Sequence, residues 1–278
     1  MKASTSTIAA ALLLGGLNFV PHAYGELPEL EEKDWTGCFA GHLDKNIKFT
    51  ISTTGAMVIS PINAHGDPGA YVKMPIDCAL EVTMPNGQKR LLEPLPESLE
   101  SDDEVTSEFE ETVIRGKFEG DAAFELMVEQ KRGVISVGGR LTAPGTYKPE
   151  SIRFVVSAQI LNFYGRKKME LENDPKAFEE LISENYVKLK WTSGKRQKLE
   201  YIEPIDMNTE EVNGPGVSDA EIWIKAINRK YIYEATEDSS FRFSNRNNLP
   251  LHTGMTVTWS PDQGKDPKAE ARLDITVK

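Results

Sequence analysis

Residues 120–137, GDAAFELMVEQKRGVISV, constrain the fold of this chain most tightly. Phe124, Leu126 and Val128 alternate with Glu125, Met127 and Glu129. A period of two sends the apolar set to one face of a strand. Residues 130–133 can turn, because Gly133 has no Cβ to clash at positive φ. Val134, Ile135 and Val137 then supply β-branched side chains for a return strand. A weak echo lies 98 positions on, in residues 218–235, SDAEIWIKAINRKYIYEA. There Ile222 and Ile224 alternate, 228–230 turn, and Tyr231 to Tyr233 return. Aligning Asp121 with Asp219 sets Phe124 on Ile222, Leu126 on Ile224 and Val134 on Ile232. An internal duplication and two unrelated amphipathic hairpins both fit this likeness.

The same alternation recurs along the chain. Ile47, Phe49 and Ile51 lead through a Gly55 turn to Val58 and Ile59. Residues 80–84 run into Pro85-Asn86-Gly87, and Asn-Gly accepts the positive φ of a tight hairpin. Val187, Leu189 and Trp191 alternate with lysines, as Met255, Val257 and Trp259 do with threonines. One segment has helical character: Asn173 or Asp174 can cap it and Pro175 suits its first turn. Ala177, Phe178, Leu181 and Ile182 then form one apolar stripe ending near Asn185. Short strands spaced by turns, without a βαβ rhythm, mean antiparallel sheets. The expected fold is mainly β: two antiparallel β-sandwich-like units with one clear α-helix at or near their junction. Residues 35–162 form the first unit, and 163–278 form the second, which opens with the helix at 175–185.

The first unit carries an acidic segment, 93–111, with nine Asp or Glu; no Lys or Arg occurs from 91 to 114. Like charges repel and little apolar surface is available, so this reads as a long solvated loop. Asp102, Asp103 and Glu104 offer the hard oxygen ligands that Ca²⁺ takes, although their spacing lacks the alternating ligands and central glycine of a helix-loop-helix calcium site. No other cofactor is suggested.

The formal net charge is −11, which argues against nucleic acid and anionic lipid as default partners. A charged start, an apolar run from Ile8 to Val20 and small residues at Ala23 and Gly25 describe a signal peptide over 1–25. Residues 26–34 make a flexible lead-in. The expected destination is the periplasm or the exterior, with no membrane insertion, because no later run reaches about 18 apolar residues. In an oxidising space the two cysteines, Cys38 and Cys78, are read as a disulfide, the alternative being two buried thiols.

Catalytic motifs are absent. His42, His65 and His252 fall in expected loops without metal-ligand spacing. There is no nucleophile elbow and no phosphate-binding loop; Gly138 and Gly139 sit in or beside a strand. Trp191 and Trp259 share the apolar faces of their strands, whereas Trp223 is out of phase with Ile222 and Ile224. An aromatic on the polar face of a sheet can stack on a sugar or anchor a partner. Trp223, Tyr231 and Tyr233 are therefore the candidate contacts. The pattern favours an exported, non-enzymatic protein binding a glycan or an envelope or secreted protein. Two alternatives stay open: a polysaccharide hydrolase with an unrevealed carboxylate pair, and a structural assembly component.

Overall fold

The computed structural model describes residues 26–62, 73–160, 173–209, 212, 216–236, 239–261 and 272–278. The leader at 1–25, His65 and most of the expected junction lie outside them. Sixteen strands run through the described residues. The first half holds β1 (Cys38–Leu43), β2 (Ile47–Ser52), β3 (Met57–Pro61), β4 (Met74–Thr83), β5 (Lys89–Leu92), β6 (Glu111–Lys117), β7 (Ala123–Lys131), β8 (Val134–Ala143) and β9 (Ile152–Ile160). After helix α1 (Pro175–Ser183) come β10 (Tyr186–Trp191), β11 (Arg196–Glu200), β12 (Val217–Ile224), β13 (Arg229–Ala235), β14 (Ser239–Asn245), β15 (Met255–Pro261) and β16 (Arg272–Val277). The helix is capped as its sequence predicts: Asp174 Oδ1 accepts the Ala177 N–H at 3.1 Å, with Pro175 in the first turn.

All named pairings are antiparallel, and they build two eight-stranded sheets. The first runs β1-β2-β3-β4-β9-β15-β14, with β5 beside β4. The second runs β11-β10-β12-β13-β16-β8-β7-β6. The mainly β, antiparallel character matches expectation. Sheet membership, however, crosses residue 162 in both directions. Strands β14 and β15 complete the first sheet against β9, and β16 slots between β13 and β8 in the second. One continuous apolar core lies between the sheets, filled by alternate residues of every long strand.

Placing both ribbons in one sheet tests the duplication directly. Strand β16 pairs with both return strands, and Ile275 faces Tyr233 on one side and Ile135 on the other. Val134 and Ile232, aligned in sequence, both face Thr276. The aligned Phe124 and Ile222, and Leu126 and Ile224, point into the core, and Val134 and Ile232 share the outer phase. Yet β7 lies to one side of β8 and β12 to the opposite side of β13, while β8 and β13 run the same way. The ribbons are thus related by reflection across β16. No rotation superposes them with their buried faces matched, so the likeness is amphipathic patterning without structural duplication.

The acidic segment is not the solvated loop its charge suggests. Its backbone is stitched to an edge strand of each sheet. Glu100 and Arg115 exchange both backbone hydrogen bonds, at 3.0 and 2.9 Å, along β6. The Gly41 N–H of β1 donates to Thr106 O at 3.0 Å. Leu99 and Phe109 anchor the segment in the core. Its charge stays outside, where it discourages edge-to-edge pairing with another chain. The calcium reading is corrected by the same geometry. Asp103 Oδ2 accepts from Val113 N at 2.7 Å, Thr112 Oγ1 at 2.8 Å and Ser101 Oγ at 3.2 Å. Asp102 pairs with Arg115 at 2.7 Å. Among the described residues no three His, Cys, Asp or Glu side chains converge on a metal-sized gap.

Partial burial pushes the Asp103 carboxyl up, but the Val113 amide, the two hydroxyls and nearby Arg115 outweigh it and hold it below its ordinary value. A depressed folded pKa contributes stability above the unfolded value and loses it as pH falls through the folded one. Asp103→Ala is expected to cost roughly 1 kcal/mol at pH 7, modest because the group is solvent-accessible. The gap between the thermal melts of the two proteins should begin to narrow near about pH 4, where the unfolded carboxyl protonates, and close as pH falls through the lower folded value.

The two cysteines are free thiols, and the expected disulfide is absent. Cys38 stands on β1 and Cys78 on β4, with β2 and β3 between them. Three strand spacings of about 4.8 Å separate them, whereas a disulfide holds its Cα atoms within about 7 Å. Burial pushes the Cys78 thiol up to about 12, which makes it an unreactive core side chain at neutral pH.

Candidate functional site

The outer face of the second sheet gathers the polar half of each alternation. On β10, Val187, Leu189 and Trp191 enter the core and Tyr186, Lys188 and Lys190 face out. On β12, Ala220, Ile222 and Ile224 enter and Asp219, Glu221 and Trp223 face out. Register then fixes the neighbours. Tyr186 lies opposite Trp223, and Trp223 opposite Lys230 on β13. Lys188 lies opposite Glu221, and Lys190 opposite Asp219.

Trp223 is half-buried on the polar face, as its phase predicts. Tyr231 and Tyr233 are corrected: both are fully buried and cannot meet a partner. Tyr231 faces Ile222 across the hairpin, so it shares the inner face, and Tyr233 follows two residues on. Sequence reasoning passed over Tyr186 and Glu221. The signal was available, because Tyr186 keeps the phase of Lys188 and Lys190 and not that of the core residues of its own strand.

Glu221 is the hub of this patch. Its Oε1 accepts the Tyr186 hydroxyl at 2.8 Å and lies 3.2 Å from Lys230 Nζ and 3.7 Å from Lys188 Nζ. Partial burial raises the Glu221 carboxyl, but the Tyr186 hydrogen bond and the Lys230 and Lys188 ammonium groups outweigh it and lower it. Burial and the Glu221 charge hold the Tyr186 phenol up, against Lys230. Through the neutral range the site therefore keeps an anionic glutamate and a protonated tyrosine. Lys188 Nζ also stands 4.4 Å from the Tyr186 ring centroid, which fixes the ring from one side.

The far end of the same face holds a hollow of about 240 Å³ lined by Glu111, Met127, Glu129, Ser136, Gly138 and Arg272. Arg272 pairs with Glu129 at 2.8 Å, and the Ser136 hydroxyl donates to Asp274 at 2.6 Å. The described histidines do not join either place. His42 is on β1 beside Asp44, and His252 precedes β15, edge-on to Phe178 of the helix. They lie towards opposite edges of the first sheet.

No protein-family model matches the chain, and no curated protein matches it. Solved structures do resemble it in fold. The α-N-acetylgalactosaminidase NagBb from Bifidobacterium bifidum, in complex with GalNAc, aligns over 86% of this chain at TM-score 0.50 and 12% identity. Its complex with Gal-NHAc-DNJ gives the same values. The chain covers only 35% of that enzyme's length. An Escherichia coli structure described as an aldose 1-epimerase aligns over 86% of this chain and 98% of its own, at TM-score 0.43 and 9% identity. At such identities the NagBb likeness speaks for the β-sandwich fold alone. No helix among the described residues is long and apolar enough to cross a membrane.

Proposed function

We propose that this protein is exported and binds a glycan on the outer face of its second sheet. The observation that carries the reading is the cross-strand pair of Tyr186 and Trp223 beside the Glu221 hub. Apolar faces of sugar rings stack on exposed aromatics, and their hydroxyls need fixed donors and acceptors nearby. Glu221, Lys188 and Lys230 supply both kinds in one charge state. The signal-like residues 1–25 support export.

A glycan array probed with the chain from residue 26 onward tests this reading. Calorimetric titration with the strongest hit and chromatography of the sugar after long incubation follow. The expected result is saturable binding with the sugar recovered intact. Silence across the array overturns the reading, and release of shorter sugars replaces binding with hydrolysis.

A further inference from the structure

The hairpin of β10 and β11 carries a charge pattern that folding does not require. Its register sets Lys188 opposite Lys198 and Lys190 opposite Arg196. Both pairs lie on the outer face, because Val187, Leu189 and Leu199 take the inner one. Like charges directly opposite one another destabilise an antiparallel pair. Residues 186–199 hold five cations and no carboxylate, in a chain of net charge −11. Lysines on an edge strand guard it against pairing with other chains. That accounts for cations on β11, but alternating signs across β10 would guard the edge equally well without repulsion.

Neutralisation is incomplete. Lys188 and Lys190 lean inward to Glu221 and Asp219, at 3.7 and 3.3 Å. Lys198 has Glu200 at 3.8 Å along its own strand. Arg196 has no ion pair among the described residues. The four cations mark the corners of a rectangle of about 5 Å across the strands and 7 Å along them. A carboxylate or sulfate group set over that rectangle meets all four. Tyr186 precedes Lys188 by two residues on the same face, so the aromatic platform runs straight into the rectangle.

We propose that the glycan bound here is anionic, its rings stacking on Trp223 and Tyr186 and its acidic groups held over Lys188, Lys190, Arg196 and Lys198. This rests on the glycan-binding reading above. The negative charge of the rest of the molecule confines an acidic ligand to this end of the face and sharpens selection.

The test uses the chain from residue 26 onward and four probes: hyaluronan hexasaccharide for carboxylates, heparin hexasaccharide for sulfates, neutral chitohexaose, and polyglutamate. At least one acidic hexasaccharide should bind about tenfold more tightly than chitohexaose, with affinity falling as salt rises. Comparing the two acidic sugars tells carboxylate from sulfate. Lys198→Glu and Arg196→Glu should each weaken that binding about tenfold. Arg196→Glu should also raise the melting temperature by about 1–2 °C, since the new carboxylate faces Lys190 and breaks no ion pair among the described residues. A folded variant that binds less and melts higher has lost the ligand site and not its structure. Equal, salt-insensitive binding of chitohexaose overturns this inference and leaves the glycan reading standing. Binding of no hexasaccharide overturns both. Polyglutamate bound as tightly as the acidic sugars overturns it in favour of an acidic protein partner, and an unchanged or lower melting temperature in Arg196→Glu removes its premise.

Discussion

Trp223→Ala is expected to cost about 2 kcal/mol of glycan affinity, close to a thirty-fold rise in Kd. It should also abolish the ligand-induced change in tryptophan fluorescence. The second effect follows from the placement of the chain's four tryptophans. Trp35, Trp191 and Trp259 are buried, so a sugar cannot reach them. Trp223 alone is half-exposed, and a stacked sugar changes its environment directly. Stability should move little, because the ring covers outer-face neighbours and leaves the core untouched. Tyr186→Phe separates the two components of the site. It keeps the ring but removes the hydroxyl that donates to Glu221 at 2.8 Å. Its effect should be several-fold smaller than that of Trp223→Ala. A full fluorescence response and an unchanged Kd in Trp223→Ala would dismiss this face as the binding surface.

The strands were legible because alternation reports burial directly. The β7–β8 turn was legible too: Arg132 and Gly133 both take positive φ where the sequence asks for a turn. So was the cap of α1, whose Asp174 and Pro175 act within one turn of each other. What stayed hidden is partner choice. Alternation says which face of β16 is buried, but nothing local says that it inserts between two ribbons far upstream. The cysteines show the same blindness, since an even number of them says nothing of the strands that lie between. Charge misled in the acidic segment. Repulsion among side chains predicts solvation, yet the backbone pairs with β6 and β1 and leaves the charges outside. At the candidate site Trp223 was found by phase. Tyr231 and Tyr233 were assigned to the wrong face, because turn position, and not composition, decides which residues of the return strand face the core.

Phe154→Ala is expected to cost about 4 kcal/mol, and Gly139→Ala about 2–3 kcal/mol, with the two effects strongly coupled. Phe154 on β9 reaches from the first sheet to the second, where its ring stacks on Phe124 of β7 at 6.0 Å and approaches Phe118 at 6.5 Å. It is fully buried, so truncation leaves a cavity that the rigid sheets on either side cannot close. Gly139 on β8 is what lets the ring in. A Cβ there would lie 2.6 Å from Phe154 Cε1 and 3.0 Å from the Glu125 carbonyl oxygen. The ring is the nearer obstacle, and it is hemmed in by two others. In the Phe154→Ala background the added methyl is freed of the ring and keeps only its 3.0 Å approach to the Glu125 carbonyl oxygen, and Gly139→Ala should then cost less than about 1 kcal/mol. Urea unfolding of the four proteins closes the cycle, with an expected coupling of about 2 kcal/mol. Additive costs would mean that the sheets do not meet through this contact. A large coupling would show that Gly139 is what admits the Phe154 ring to the core between the two sheets.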